Sequence, residues 1–183
     1  GLSIYVQPSA ELNASTFFGE ISITKGMLNV VKSDDQLAFI LGHEIAHLTR
    51  NHLEGRLITT GLVTIFDAVV SYKTGYSYQT PPWLLHPFTQ DQEREADFYG
   101  LEYAAMAGFD HTQTQNVWAN LAEYDPSSIK NSILSTHPGY EERYILLSKW
   151  ITLLTSGDTE LINQEKSKLS LWGKGTNKSR QKK

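Results

Sequence analysis

The stretch from Ser33 to Leu48 limits what this chain can fold into more than any other part of it. Ser33-Asp34-Asp35-Gln36 has the form of a capping box, with two acids where the helix dipole favours them. Leu37, Leu41, Ile45 and Leu48 follow at helical spacing, so the segment reads as a helix with one buried face. Set into that helix is His43-Glu44-Ile45-Ala46-His47, with both histidines at the margin of the apolar stripe. Residues four apart lie on one helix face, a turn apart. Two imidazoles so placed can hold one tetrahedral zinc ion, while Glu44, beside the first, points toward water at that site. Chance places three such residues in this pattern in roughly one chain of this length in a few hundred. The alternative is a solvated helical face with two unconnected histidines; their position beside the buried stripe favours the metal.

A catalytic zinc commonly takes three protein ligands and keeps one position open. The best third candidate is Glu93, in Glu93-Arg94-Glu95-Ala96-Asp97 on a later helix with a capped start. Asp97, one turn on, is placed to accept the second N–H of a ligating histidine and orient its ring. A charged surface helix is the competing reading, but like charges at i,i+4 repel and are easier to understand beside a cation. Glu95 reads as solvated.

Elsewhere, Leu2–Gln7 and Glu20–Thr24 alternate apolar and polar residues and read as strands, with Gly19 and Gly26 as turn residues around the second. A second apolar helix is expected over Leu57–Val70. Lys73–Pro87, with Gly75, three prolines and aromatics, reads as a long loop of the kind that often serves function. Helices resume at Gln90–Ala107, Thr112–Glu123 and Glu141–Thr155. From Ser156 onward periodicity fades, and a loose polar tail is expected, with Leu169, Leu171 and Trp172 able to dock back.

Hydrophobic residues are 40% and charged residues 20% of the 183, which places the chain among ordinary globular proteins of one domain. Cysteine is absent, which excludes disulfides and thiolate metal ligands. Of the 16 Lys/Arg, seven fall in residues 166–183 with no acid among them, leaving nine against all 20 acids before it. An acidic body argues against nucleic-acid binding. The basic tail reads first as a solvated terminus and second as a peripheral contact with an anionic membrane surface. No run approaches the ~20 apolar residues of a membrane span; the best, Gly61–Tyr72, carries Asp67. No signal peptide is visible, and a chain opening at Gly1 in a strand reads as processed or trimmed.

The pairing of HExxH with a downstream ExxxD is the gluzincin arrangement. More specifically, the chain resembles the zinc metallopeptidase family of HtpX, BepA, LoiP and the CAAX prenyl proteases. The shared features are His52 after the HExxH helix, Phe88-Thr89-Gln90 before Glu93, Thr136-His137-Pro138 followed by Arg143, and Asn13-Ala14 with Gly19–Leu28 upstream. Asn13-Ala14-Ser15-Thr16 replaces the family's Asn-Ala-Phe-Ala, and Gly19-Glu20 its Gly-Gly.

The resemblance covers about residues 2–150 and implies an α+β fold, a mainly helical zincin-type domain taken as residues 1–155; by its polarity and charge, 156–183 reads as a polar, basic C-terminal tail. Its small sheet would present Glu20, Ile21, Ser22, Ile23 and Thr24 as an edge strand that takes extended substrate by strand addition. It implies one zinc ion on His43, His47 and Glu93, with Glu44 as general base and Asp97 behind a histidine. His137 and Arg143 would stabilise the oxyanion, although His137 before Pro138 also suits a helix cap. The remaining histidines read as structural (His52), loop-lining (His86) and turn-forming (His111). The activity implied is endopeptidase cleavage of extended or misfolded polypeptides in protein quality control, in a bacterial periplasm or cell envelope. The rival is a latent or non-catalytic zinc-containing module, its fourth position closed by His137 or a residue of the Lys73–Pro87 loop. Substrate preference and oligomeric state have no signature in the residues.

Overall fold

The structure, a computed structural model, describes residues 1–17, 19–52, 71–73, 75, 88–124 and 140–178. The expected helix at Leu57–Val70, most of the Lys73–Pro87 loop, His86 and His137 lie outside the described residues. What is described is a mainly helical α+β domain with a three-stranded sheet. The strands are β1 (Ser3–Gln7), β2 (Ala14–Phe17) and β3 (Glu20–Thr24); the helices are α1 (Lys25–Val30), α2 (Asp34–Thr49), α3 (Gln90–Met106), α4 (Asn116–Tyr124), α5 (Tyr140–Ser156) and α6 (Thr159–Lys178).

The sheet order is β1-β3-β2, which corrects the expectation for Glu20–Thr24. β1 runs parallel to β3, from Ser3↔Glu20 to Gln7↔Thr24, and β2 runs antiparallel to it, from Ala14↔Ile23 to Phe17↔Glu20. Glu20–Thr24 is therefore the central strand, with its backbone groups committed on both sides. The alternation that identified it was sound, since Ile21 and Ile23 are buried. Alternation reports a buried face, however, and says nothing about how many neighbours a strand has. Among the described residues, the edge strand beside α2 is β2, a four-residue segment too short and polar for pattern to reveal.

Thr24 joins sheet to helix. Its hydroxyl caps α1 by accepting from Met27 N (3.2 Å) and also contacts Glu11 O (2.6 Å). Gly26, expected as a turn residue, instead lies in the first turn of α1; a Cβ there would stand 2.2 Å from Ala10 O, so close backbone approach requires glycine.

Ser33 caps α2, accepting from Gln36 N at 3.3 Å. The reciprocal half of the expected box is shifted by one residue: Gln36 Oε1 accepts from Lys32 N (2.9 Å) and from Asn120 Nδ2 (3.0 Å), tying α2 to α4. α3 has a complete capping box, Thr89 with Gln92. α2 and α3 cross where Gly42 meets Gly100. A Cβ on Gly42 would lie 2.8 Å from Gly100 O, and one on Gly100 would lie 2.8 Å from His43 N. Two facing glycines thus let the helices approach at the residue that opens the histidine motif.

Behind the crossing, Phe98 and Trp150 pack edge to face at 5.6 Å in a core with Phe39, Leu101 and Leu147. The expected loose tail is helical: α6 docks with Leu169 buried, while Leu171 is exposed. Glu165 of α6 accepts from Trp150 Nε1 (3.0 Å) and Lys149 Nζ (2.7 Å), and Lys166 pairs with Glu102. Ile162, Glu165 and Leu169 share a helical face, a signal obscured by the polar residues between them. Among the described residues, no helix is long and apolar enough to cross a membrane.

Candidate metal centre

His43 and His47 project one turn apart from α2, their rings 4.7 Å between centroids and nearly perpendicular. Their Nε2 atoms lie 3.0 Å apart. Glu93, on the first turn of α3, brings Oε2 to 3.5 Å from His43 Nε2 and Oε1 to 3.4 Å from His47 Nε2. His43, His47 and Glu93 are all buried and together could hold a metal ion.

The outward nitrogen of His43 explains why its ring is aimed so. His43 Nδ1–H donates to Asp97 Oδ1 at 2.9 Å, which turns Nε2 toward Glu93 and makes it the nitrogen that a metal would take. Burial by itself would lower the His43 pKa; the bonds to Asp97 and Glu93 overcome it and raise the value to about 9. Asp97 moves the other way: burial would raise it, but Arg143 and then His43 hold it below the usual carboxylate range.

Arg143, from α5, binds both carboxylates. Nε and Nη2 donate to Asp97 at 2.6 and 2.7 Å, and Nη1 lies 2.8 Å from Glu93 Oε2. Its guanidinium rests 4.6 Å from the centre of the Trp118 ring. The resemblance implies an oxyanion donor; this side chain is 2% exposed and engaged through all three nitrogens, with Asp97 behind His43 and with Glu93. Next to it in α5, Glu142 pairs with Arg94 of α3 at 2.6 Å, a second bond holding the two helices.

Glu44 is fully buried on α2, and its charge helps hold the Arg143 proton. Counted formally, Glu44, Glu93 and Asp97 bring three negative charges and Arg143 one positive, an excess that suits a divalent cation. The lone pairs of two imidazoles and a carboxylate converging within these distances suit one as well.

A family model described as Peptidase family M48 matches residues 3–151. The chain belongs to peptidase family M48. Among its relatives, the mitochondrial metalloendopeptidase OMA1 of Schizosaccharomyces pombe is 27% identical over 139 residues, 73% of this chain and 41% of the relative. The β-barrel assembly-enhancing protease of Escherichia coli is 31% identical over 152 residues, 73% of this chain and 31% of its own length. The chain thus spans less than half the length of these relatives.

Within this M48 domain, one residue stands where sequence reasoning did not put it. Glu95, read as solvated, is 5% exposed and accepts from Arg50 (Nη2–Oε1, 2.7 Å) beside His52 (Nε2–Oε2, 3.2 Å). The two basic residues just past the HExxH helix were the available signal. Phe88 also enters the site, stacked on the His47 ring at 3.6 Å and 16°. His111 begins a short 3-10 turn, His111–Gln113, that precedes α4.

Proposed function

We propose that this chain is the catalytic domain of a zinc-dependent endopeptidase acting on extended or misfolded polypeptides. The observation that carries the reading is the buried convergence of His43, His47 and Glu93 beside Glu44, in a chain of this family. A tetrahedral zinc with bonds of about 2.0–2.1 Å has ligand–ligand edges of about 3.3–3.4 Å. The separations of 3.0, 3.4 and 3.5 Å fit that geometry. When bound, zinc lowers the pKa of water toward ~7 and polarises a carbonyl.

The protein supplies the rest. Glu44 takes a proton from water as its oxygen bonds to the scissile carbonyl carbon, then delivers it to the leaving amine nitrogen as the C–N bond breaks. Asp97 orients His43, and Arg143 holds Asp97 and Glu93 in place. β2, not β3, is the strand we assign to substrate. Thr24 N donates to Asn13 O (3.0 Å), and the antiparallel alternation then turns the backbone groups of Ala14 and Thr16 away from β3. An extended peptide pairing there gains backbone bonds without strong side-chain demand. Relatives named for mitochondria and for β-barrel assembly fit a membrane-bounded setting, such as the cell envelope.

The test is metal analysis with digestion of an unfolded protein, before and after chelation. Stoichiometric zinc with chelator-sensitive cleavage is expected; full zinc occupancy without cleavage would favour the non-catalytic module.

Zinc uptake is expected to release a proton. His43 has a folded pKa of about 9, above the ordinary 6.5. Its protonated form therefore stabilises the metal-free protein fully below pH 6.5, and that contribution is lost as pH rises through about 9. A ligand must be neutral, so apparent zinc affinity rises across the same window. Calorimetry at pH 7.5 in buffers of different ionisation enthalpy should show at least about one proton released per zinc, that of His43, with any further release coming from water on the metal; none released contradicts the assignment of His43.

For His137 we keep the oxyanion donor role, supported by the resemblance. His137→Ala is then expected to retain zinc and lose turnover on an unfolded substrate. A rise in turnover at matched zinc occupancy would instead identify a latent enzyme closed by this residue.

A further inference from the structure

The outward nitrogen of His47 meets a second imidazole where that of His43 meets a carboxylate. His47 Nδ1 lies 2.9 Å from His52 Nδ1, and His52 Nε2 lies 3.2 Å from Glu95 Oε2. Arg50 closes the chain: Nε and Nη2 reach Glu95 Oε1 at 2.8 and 2.7 Å, with the guanidinium 4.5 Å from the centre of the Tyr99 ring. His47, His52 and Glu95 are each at most 5% exposed. His52 is five residues from His47, a spacing that no continuing helix would bring face to face. Asn51 makes the contact available: its φ of 58° turns the chain left-handed at the end of α2, a conformation asparagine tolerates.

Hydrogen bonding decides where the protons sit. A bond between two ring nitrogens holds one proton. Once His47 Nε2 gives its lone pair to a metal shared with His43 and Glu93, its proton is on Nδ1. His52 Nδ1 must then accept, so its own proton is on Nε2, aimed at the Glu95 carboxylate. In this assignment every donor meets an acceptor. A proton on His52 Nδ1 would set two N–H groups against each other and turn a lone pair toward a carboxylate.

We propose that His52 and Glu95 are positioning residues for the second metal ligand: Glu95 selects the Nε2–H tautomer of His52, and His52 orients His47. The two ligating histidines are therefore held by different devices, His43 by Asp97 directly and His47 by an imidazole backed by a carboxylate. Arg50 and its stack on Tyr99 fix that carboxylate. The inference rests on the zinc reading above, because orientation of His47 matters only if its Nε2 is a ligand.

The experiment uses the whole chain, zinc-loaded and 15N-labelled in histidine. Long-range proton–nitrogen spectra should show His52 with a bare Nδ1 and a protonated Nε2, and His47 protonated at Nδ1. The opposite tautomer of His52 overturns the proposal without any variant. In chelator competition, folded His52→Leu and Glu95→Leu are each expected to bind zinc roughly 10–100-fold more weakly. His52→Asn, whose amide oxygen stands near the lost Nδ1, should recover most of that loss. The double leucine variant should be no weaker than the worse single one, because both break one chain. Wild-type affinity in His52→Leu, additive losses, or no rescue by asparagine would reduce the pair to packing. A wild-type chain that takes up no zinc would overturn the zinc reading itself, and this role with it.

Discussion

Glu44→Gln is expected to leave zinc bound and to cut peptide hydrolysis by at least ~10²-fold, the scale of a lost general base. Glutamine keeps the shape and polarity of the side chain but cannot take the proton that the attacking water must lose. Glu44 is 0% exposed, between the two histidines in sequence on α2, so bulk water is poorly placed to substitute for it. Zinc content by metal analysis and hydrolysis of an unfolded substrate separate the two halves of the expectation. Near-normal turnover by a zinc-loaded variant would remove Glu44 from the mechanism. Loss of zinc would recast it as part of the binding site.

Arg143→Leu is expected to destabilise the metal-free protein by about 3–5 kcal/mol, the usual cost of stranding buried charge. Two carboxylates depend on this guanidinium, Asp97 through two bonds and Glu93 through one. Arg143→Lys should recover only part of the loss, because a point charge cannot serve both acids in the geometry of the planar fork. Chemical denaturation without metal measures the effect. The outcome also separates two roles: a donor that acts only on the oxyanion would lose turnover when removed and leave stability unchanged. A loss below 1 kcal/mol would reject the clamp described above.

Much of the site was legible because its first half is local. His43 and His47 are one helical turn apart, and helix geometry alone puts them on one face. Asp97 was placed behind a histidine by the same logic applied to Glu93, and the structure sets it 2.9 Å from His43 Nδ1. Periodicity gave the individual helices and two short alternating runs, and the family resemblance implied the α+β fold that joins them, a mainly helical domain with a small sheet. Glu95 was misjudged for a physical reason. It points to a different side of α3 from Glu93, and what lies on that side is decided by how the end of α2 turns at Asn51. The expected tail was misjudged because a polar helix, held by Leu169 and Glu165, leaves little apolar signal.

The sequence by itself determined the local elements: the capped helix that presents two imidazoles, the capped helix that carries Glu93 and Asp97, and the chemistry those residue types allow. These depend on separations of three or four residues, which backbone geometry converts directly into distance. The tertiary structure decided the contacts between residues far apart in the chain, the Gly42–Gly100 crossing that brings α2 to α3 and the bond from Arg143 to Glu93 and Asp97, and it also decided the central place of β3 between β1 and β2. It also decided that Arg50 and His52 would reach Glu95. Such contacts depend on the crossing angle, rotation and closeness of whole elements, and those are set by packing across the molecule rather than by the period of any one segment.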